Sequence, residues 1–450
     1  MDRTESTPVF LHAELLPNIR QITLYISVPI SSDTTEESSL HLDPKITLSA
    51  SRRAITVSFP GLSEDSAETI KLPARVSDTS RRMLDVAKPR GQLVGNGGLS
   101  HEKRMEFSLR MPVDTAEGPL VSREELTDGF VPWTAGDMSP RSEVRCRQCS
   151  TVFLSSGAHS SSGGKDTAIP GAKRGWVWKD LPSGNWAEMM DFWHCHKPDP
   201  RHSHDHGSDS GDVGIVDDQQ SQIKGYGAAN QVVAIPGTVL VDVATFLVAE
   251  MDCQGLIKVR IDQDPDTSSK LQQHPIECGK CSSIIGTEDP VAQGWRLFKT
   301  HISVVTKDED GSLQWRAYPT ETIVAAQLLE LVERESARRF VVHCGQGPGL
   351  LLWTFNPDLR YSSSGRDRSI AAQRAMKVLF QQISDVDTLL YPETGKATPL
   401  ALDELRLPTK TYTDLCAALA KTNTMLPMSA RLFQDWTVGL LDRFERTNSG

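Results

Sequence analysis

Most of the chain's eight cysteines stand in clusters of the kind that bind metals. Cys146-Arg147-Gln148-Cys149 and Cys278-Gly279-Lys280-Cys281 are two Cys-x-x-Cys pairs of identical spacing, and Trp193-His194-Cys195-His196 lies between them. Each pair can bend back on itself and offer two thiolates to a tetrahedral zinc ion, so two pairs complete one site. Two ligand sets are open. One is Cys146, Cys149, Cys278 and Cys281, which would make the long stretch between the pairs a folded insertion. The other joins Cys146 and Cys149 to Cys195 and His196. A third account leaves the pairs as reduced, buried thiols. Structural Zn2+ is the cofactor expected. A thioredoxin-like role needs the first thiol at a helix N-terminus after a strand; Cys146 lies in an Arg-rich stretch and Cys278 follows His-Pro-Ile-Glu, and neither context fits.

The remaining cysteines offer weaker chemistry. Cys344 leaves the apolar run Phe340-Val341-Val342-His343 for a Gly-rich turn, where a thiol could act as a nucleophile. Neighbours on a strand point to opposite faces, so His343 and Cys344 are no dyad by sequence alone. Cys416 lies between Leu415 and Leu419 on a predicted helix and reads as packed, while Cys253 is assigned nothing. The run His202-Ser203-His204-Asp205-His206 reads as solvated loop. No His-Glu-x-x-His spacing occurs, so a zinc hydrolase is a poor fit.

These residues need a scaffold. Ile22, Leu24, Ile26 and Val28 alternate with other residues, as do Ile55, Val57 and Phe59, then Met105, Phe107, Leu109 and Met111. Period two predicts half-buried antiparallel strands. Residues 86–103 read as a long exposed loop. Segments 155–173 and 198–224, rich in Ser, Gly, His and Asp, read as disordered insertions, because they hold too little apolar surface to offset ordering entropy. Between them, Ser183 caps a predicted helix with Trp186, Met189, Met190 and Trp193 on one face, delivering Cys195 and His196 at its end. Residues 231–260 and 293–318 return to strand character. Past Pro319, a helix begins at Thr320, strands follow at 340–342 and 350–353, and helices are predicted over 369–384, 411–421 and 429–446. The fold class expected is α+β: a β-rich N-terminal region (1–135) and a middle region (136–318) tied by a zinc site, then a mixed α/β C-terminal region (319–450).

With 450 residues, a net charge of −10 and a pI near 5.7, the chain lacks the basic balance of a general nucleic-acid or anionic-membrane binder. No apolar run reaches the roughly 18 residues of a membrane span, and no apolar core of signal-peptide length follows Met1-Asp2-Arg3. Cytoplasm or nucleus is the compartment expected, with no membrane and no direct nucleic-acid partner.

Leu181-Pro182-Ser183-Gly184-Asn185-Trp186 followed by Trp193-His194-Cys195-His196-Lys197-Pro198 resembles the signature of the HECT-like ubiquitin-conjugating-enzyme (E2)-binding proteins. The two Cys-x-x-Cys pairs, Ile285-Gly286, the run from Leu350 to Tyr361, Ala375 to Leu379, Leu426-Pro427-Met428-Ser429 and Trp436 to Leu441 are similar to the same family. The resemblance implies an E2-binding, HECT-like E3 ubiquitin-protein ligase that accepts ubiquitin from an E2, or directs it, to substrate lysines. Its weak thioester candidates are Cys344 and Cys416. The alternative the resemblance implies is a non-enzymatic assembly factor or chaperone for the endonuclease of pre-mRNA 3′-end processing, reached through a motif around Cys146. Expected partners are thus an E2, ubiquitin and a substrate or client.

Overall fold

A computed structural model describes residues 9–30, 43–60, 67–86, 89, 91–95, 103–118, 120, 129–155, 175–181, 232–260, 274–307, 313–345, 347–365, 370–391 and 402–446. The predicted Ser183–Trp193 helix, Cys195, His196 and nearly all of the two Ser/His-rich segments lie outside these residues. The described chain is β-rich. It forms two compact units, one from residues 1–130 and 320–450, the other from 131–319.

In the first unit, strand Gly349–Ser363 binds the two ends of the chain into one ten-stranded sheet. Along one edge it pairs with Gln373–Ile383. Along the other, its first half pairs with Arg339–His343 and its second half with Phe10–Leu16. The register against Gln373–Ile383 slips around Asn356 and Leu359, and Pro357 sits in that irregular stretch. A proline is tolerated there because it has no ladder hydrogen bond to donate. Asp358 holds the bend by pairing with Arg374 and with Arg443. Beyond Phe10–Leu16 the sheet continues through Gln21–Ile30, Lys103–Pro112 and Gln92–Gly95.

The alternation of the first strands decides what each face buries. Leu11, Ala13 and Leu15 face a core shared with Ile22, Leu24, Ile26, Ile55, Val57 and Phe107. The opposite face of the same strand carries His12 and Glu14, and these too are buried. A buried carboxylate needs a partner, and Lys377 donates to both Glu14 oxygens at 2.9 and 2.8 Å, while His12 Nε2 lies 3.2 Å from one of them. Burial alone would raise the Glu14 pKa, but Lys377 and His12 outweigh it and lower it to about 2. A second buried acid, Glu106, caps the Leu426-Pro427-Met428-Ser429 motif: its two oxygens accept from the Met428 and Ser429 N–H groups at 2.8 and 2.9 Å. Both acids therefore join N-terminal strands to C-terminal segments.

Two predicted helices are strands. Residues 369–384 contain strand Gln373–Ile383, and 429–446 contain the hairpin Leu432–Phe433 and Trp436–Asp442. Gln373–Ile383 is rich in Ala, Met, Lys and Gln, all good helix formers, but it is flanked by strands on both sides and both its faces pack. Tertiary context overrides propensity there. The expected loop over 86–103 holds strand Gln92–Gly95, paired with Lys103–Glu106. The helices expected from Thr320 and over 411–421 are present as Thr320–Glu335 and Thr409–Thr424.

The second unit holds two sheets. The order of the seven-stranded sheet is Val177–Asp180, Thr238–Val241, Thr245–Val248, Gly294–Phe298, Ile284–Asp289, Pro275–Cys278 and Leu256–Lys258. The four-stranded sheet runs Leu313–Arg316, Ile302–Lys307, Val144–Cys146 and Val152–Leu154. Val144, Phe153, Ile302 and Val304 from one sheet and Phe246, Ile276, Ile285, Trp295 and Leu297 from the other share one apolar core.

Replacing Glu14 with Gln leaves Lys377 facing a neutral amide and is expected to cost about 3 kcal/mol in urea denaturation at neutral pH. The folded pKa lies below the unfolded value, so the wild-type advantage is complete above that value and disappears on acidification. The gap between wild type and Glu14→Gln should close as the pH falls from about 4.5 to about 2. A gap that stays constant over that range would show that Glu14 folds without this ion pair.

Candidate metal centre

The two Cys-x-x-Cys pairs build the same hairpin twice, once on each sheet of the second unit. Cys146 ends strand Val144–Cys146 and Cys278 ends strand Pro275–Cys278. In the first hairpin Cys146 N–H donates to the Thr151 carbonyl at 2.9 Å, and Ser150 N–H donates back to the Cys146 carbonyl at 3.0 Å. In the second, Cys278 N–H donates to Ser283 at 2.9 Å, and Ser282 N–H to Cys278 at 2.8 Å. Ser150 and Ser282 occupy the same place and both are left-handed, with φ of 62° and 55°. A one-residue left-handed step closes such a tight turn, and a short polar residue accepts it at modest cost.

The sulfur environments repeat as well. The main-chain N–H groups of Gln148 and Cys149 point at the Cys146 sulfur, and those of Lys280 and Cys281 at the Cys278 sulfur. The second cysteine of each pair faces a hydroxyl: Thr151 Oγ1 lies 3.2 Å from Cys149 Sγ, and Ser283 Oγ lies 3.3 Å from Cys281 Sγ. In both pairs the first cysteine is buried and the second half-buried.

The hairpins face each other. Cys146 Sγ lies 3.7 Å from Cys281 Sγ, Cys149 Sγ lies 3.5 Å from Cys278 Sγ, and all four sulfurs fall within 4.8 Å of one another. A disulfide needs about 2.05 Å, so these are four free thiols. A tetrahedron with metal–sulfur arms of about 2.3 Å has edges of about 3.8 Å. The four cysteines can therefore hold one metal ion. Without a cation the cluster cannot be uniformly charged: burial pushes Cys146 up to about 12 and pushes Cys278 up as well, while the Thr151 hydroxyl draws Cys149 down to about 6. A soft dication would offset the charge of four adjoining thiolates, and a closed set of four protein ligands leaves no open position for substrate.

Residues with no metal signature hold the hairpins in place. The run Lys299-Thr300-His301 is the corner where strand Gly294–Phe298 of one sheet passes into Ile302–Lys307 of the other. The His301 carbonyl accepts from Arg147 N–H in the first hairpin at 3.0 Å, and its Nδ1 lies 2.7 Å from the carbonyl of Ile284, just past the second. Lys299, fully buried, donates to the carbonyls of Pro132 and Trp133 at 2.9 and 3.2 Å, and burial lowers its pKa to about 7. Arg147 reaches across to the Thr300 and Tyr318 carbonyls. A Cβ on Gly286 would meet the Arg296 carbonyl at 2.2 Å, so only glycine fits beside that strand. Gly286 stands out in the sequence as part of a motif, whereas Lys299 and His301 do not; a buried lysine looks like any surface lysine when read as a letter.

The candidate nucleophiles lie in the other unit. Cys344 follows strand Arg339–His343 and Cys416 lies on helix Thr409–Thr424; both are half-buried free thiols. His343 does not serve Cys344. Its Nδ1 is 2.8 Å from the Gly345 carbonyl and its Nε2 is 2.8 Å from Glu404. Burial pushes Cys416 up, partly countered by a bond from Tyr412, and the nearby Cys344 adds to the rise. Cys253 is pushed up by burial and by Asp252.

A family model described as HECT-like ubiquitin-conjugating enzyme (E2)-binding matches residues 14–438. An uncharacterized protein of Saccharomyces cerevisiae is 24% identical over 316 residues, 70% of this chain and 72% of its own length. Another, of Schizosaccharomyces pombe, is 24% identical over 339 residues, 73% of this chain and 81% of its own. An E3 ubiquitin-protein ligase of Mus musculus is 24% identical over 280 residues, 58% of this chain and 64% of its own. No solved structure matches the chain.

If the four-cysteine cluster is the metal centre, Cys146→Ser and Cys278→Ser should each abolish the bound metal, read by elemental analysis of purified protein, whereas Cys195→Ser should retain it. Loss of metal in Cys195→Ser with retention in Cys278→Ser would assign the ion to the other ligand set.

Proposed function

Because the chain belongs to the HECT-like E2-binding family, we propose that it is a ubiquitin ligase that docks an E2 and directs ubiquitin to substrate lysines. The observation that carries the proposal is the family match over residues 14–438, which takes in both compact units. The similarity to a relative described as an E3 ubiquitin-protein ligase supports it. The ion in the four-cysteine cluster is Zn2+ and its task is structural: thiolate ligands favour a soft or borderline ion, and a closed tetrad has no catalytic position.

In this reading the thiol of the E2 keeps the ubiquitin until transfer. The lysine amine attacks the thioester carbonyl, an amide forms, the carbon–sulfur bond breaks, and the E2 leaves as thiol with the proton the amine gives up. A ligase that carried ubiquitin itself would need an exposed, activated thiol. Cys416 has a raised pKa, and His343 beside Cys344 is engaged by Gly345 and Glu404. A second reading, which rests on the family resemblance and not on these thiols, is a non-enzymatic assembly factor or chaperone for a client such as the pre-mRNA 3′-end processing endonuclease.

Mixing the protein with ubiquitin-charged E2 separates these readings. The expected result is faster discharge of E2 to lysine, no reducible ubiquitin adduct on a non-reducing gel, and activity retained in Cys344→Ala and Cys416→Ala. An adduct lost in either variant would overturn the non-covalent route and name the nucleophile. Client capture without any acceleration of discharge would favour the assembly-factor reading.

A further inference from the structure

The apolar face of the first unit's sheet does not stop where its core stops. Leu359, Ala375, Leu379, Val438 and Leu440 are buried there, beneath Leu426 and Ala430. Trp353 and Trp436 extend this cluster and are only half-buried. Past them the surface is open: Phe355 is 41% exposed and Phe433 43%. The rings form one connected ledge. Trp353 meets Phe355 edge-on at 5.5 Å between centroids and Trp436 at 6.1 Å, and Phe355 meets Phe433 at 5.6 Å. The Arg339 guanidinium sits over the Trp353 ring at 5.1 Å.

The ledge is held ready for contact. Phe433 pairs with Trp436 across a two-residue turn whose Gln434 is left-handed, with φ of 53°. Gln381 donates to the Asp435 carbonyl at 3.0 Å and ties the turn to the sheet. Trp353, Phe433 and Trp436 stand on paired residues, and Phe355, at the register slip of its strand, is braced by the Trp353 and Phe433 rings, so binding would cost little ordering entropy. Connected aromatic rings with an arginine and a polar rim are the composition of protein-binding hot spots, and solvated Trp and Phe in one patch need a reason to remain exposed. A partner of this family is an E2, and the ledge lies within the matched residues.

We propose that the ledge of Trp353, Phe355, Phe433 and Trp436, with Arg339 at its rim, is the surface on which the E2 docks. The E2 covers it with an apolar patch, and the exposed Arg339 favours a partner with an acidic margin beside that patch. This assignment rests on the E2-binding reading above and adds its location.

The test measures affinity for each of a panel of uncharged E2s by calorimetry, using the full chain. Phe355 and Phe433 are exposed enough to be changed without opening the core, and Met251, 77% exposed in the other unit, serves as a control. The double variant Phe355→Ser/Phe433→Ser should bind at least about tenfold more weakly, a loss of about 1.4 kcal/mol, while Met251→Ser binds as the wild type does. In wild type, bound E2 should slow deuterium uptake over Leu432–Trp436, a readout that needs no variant. Unchanged affinity in the double variant with no protection would overturn the ledge and leave the E2 reading standing. If no E2 on the panel binds wild type, the E2 reading falls and the ledge with it. Self-association that disappears in the double variant, with E2 affinity unchanged, would overturn the assignment and give the ledge to a second copy of the chain.

Discussion

The first unit depends on one constraint: strand Gly349–Ser363 is longer than any neighbour on its outer edge, and it must be completed there by two segments from opposite ends of the chain. Its unpaired backbone groups would be costly if the position opposite Tyr361–Ser363 stayed empty in a packed sheet. Phe10–Leu16 supplies the missing partner. That demand recruits the first strand, which brings Glu14 to Lys377, and the strand Lys103–Pro112 two places further on brings Glu106 to the Met428 turn. Two buried acids thus depend on a pairing fixed by backbone hydrogen bonds. The result is a unit made of both chain ends, with residues 131–319 forming a separate unit between them.

The second unit solves a different problem. Its two sheets share a core, but sheets that meet face to face can slide, since apolar packing has no direction. The paired hairpins remove that freedom. Each delivers its sulfurs through the same turn, with the same left-handed serine and the same hydroxyl beside the second cysteine, so four ligands from two sheets meet at one point. The Lys299–His301 corner holds both hairpins, the first through the His301 carbonyl and the second through the His301 Nδ1 at the Ile284 carbonyl. A metal ion there would fasten sheet to sheet, and its closed ligand set suits a fastening rather than a reaction.

Several of these features were visible in the letters. Alternation exposed strands Gln21–Ile30, Ala54–Ser58 and Lys103–Pro112, because each has one clear apolar face. Alternation failed for Gln373–Ile383, where burial on both faces erases the period and helix-forming residues such as Ala375, Met376 and Lys377 point the wrong way. The hairpin around Gln434 was missed because its aromatic residues, Phe433 and Trp436, sit at a spacing that a helix face would also produce. Period two puts Glu106, between Met105 and Phe107, on the face opposite the apolar one, but that face is covered as well, and Glu106, His12 and Glu14 are all buried.

The sequence by itself determined that the ligands exist and how each pair is built. Cys-x-x-Cys spacing is a local property, and the turn that follows needs only the next few residues. It also carried the family resemblance. Which pairs meet was not local. Cys146 and Cys281 are 135 positions apart, and their approach to 3.7 Å depends on the order of strands in two sheets and on the corner at Lys299–His301. The fate of the single thiols was likewise decided in part in three dimensions, because Cys416 is buried near Cys344 and His343 is engaged by Glu404, contacts that join segments far apart in sequence. Residue types fix what a side chain can do; backbone pairing between distant strands decides which of those chemistries are brought together.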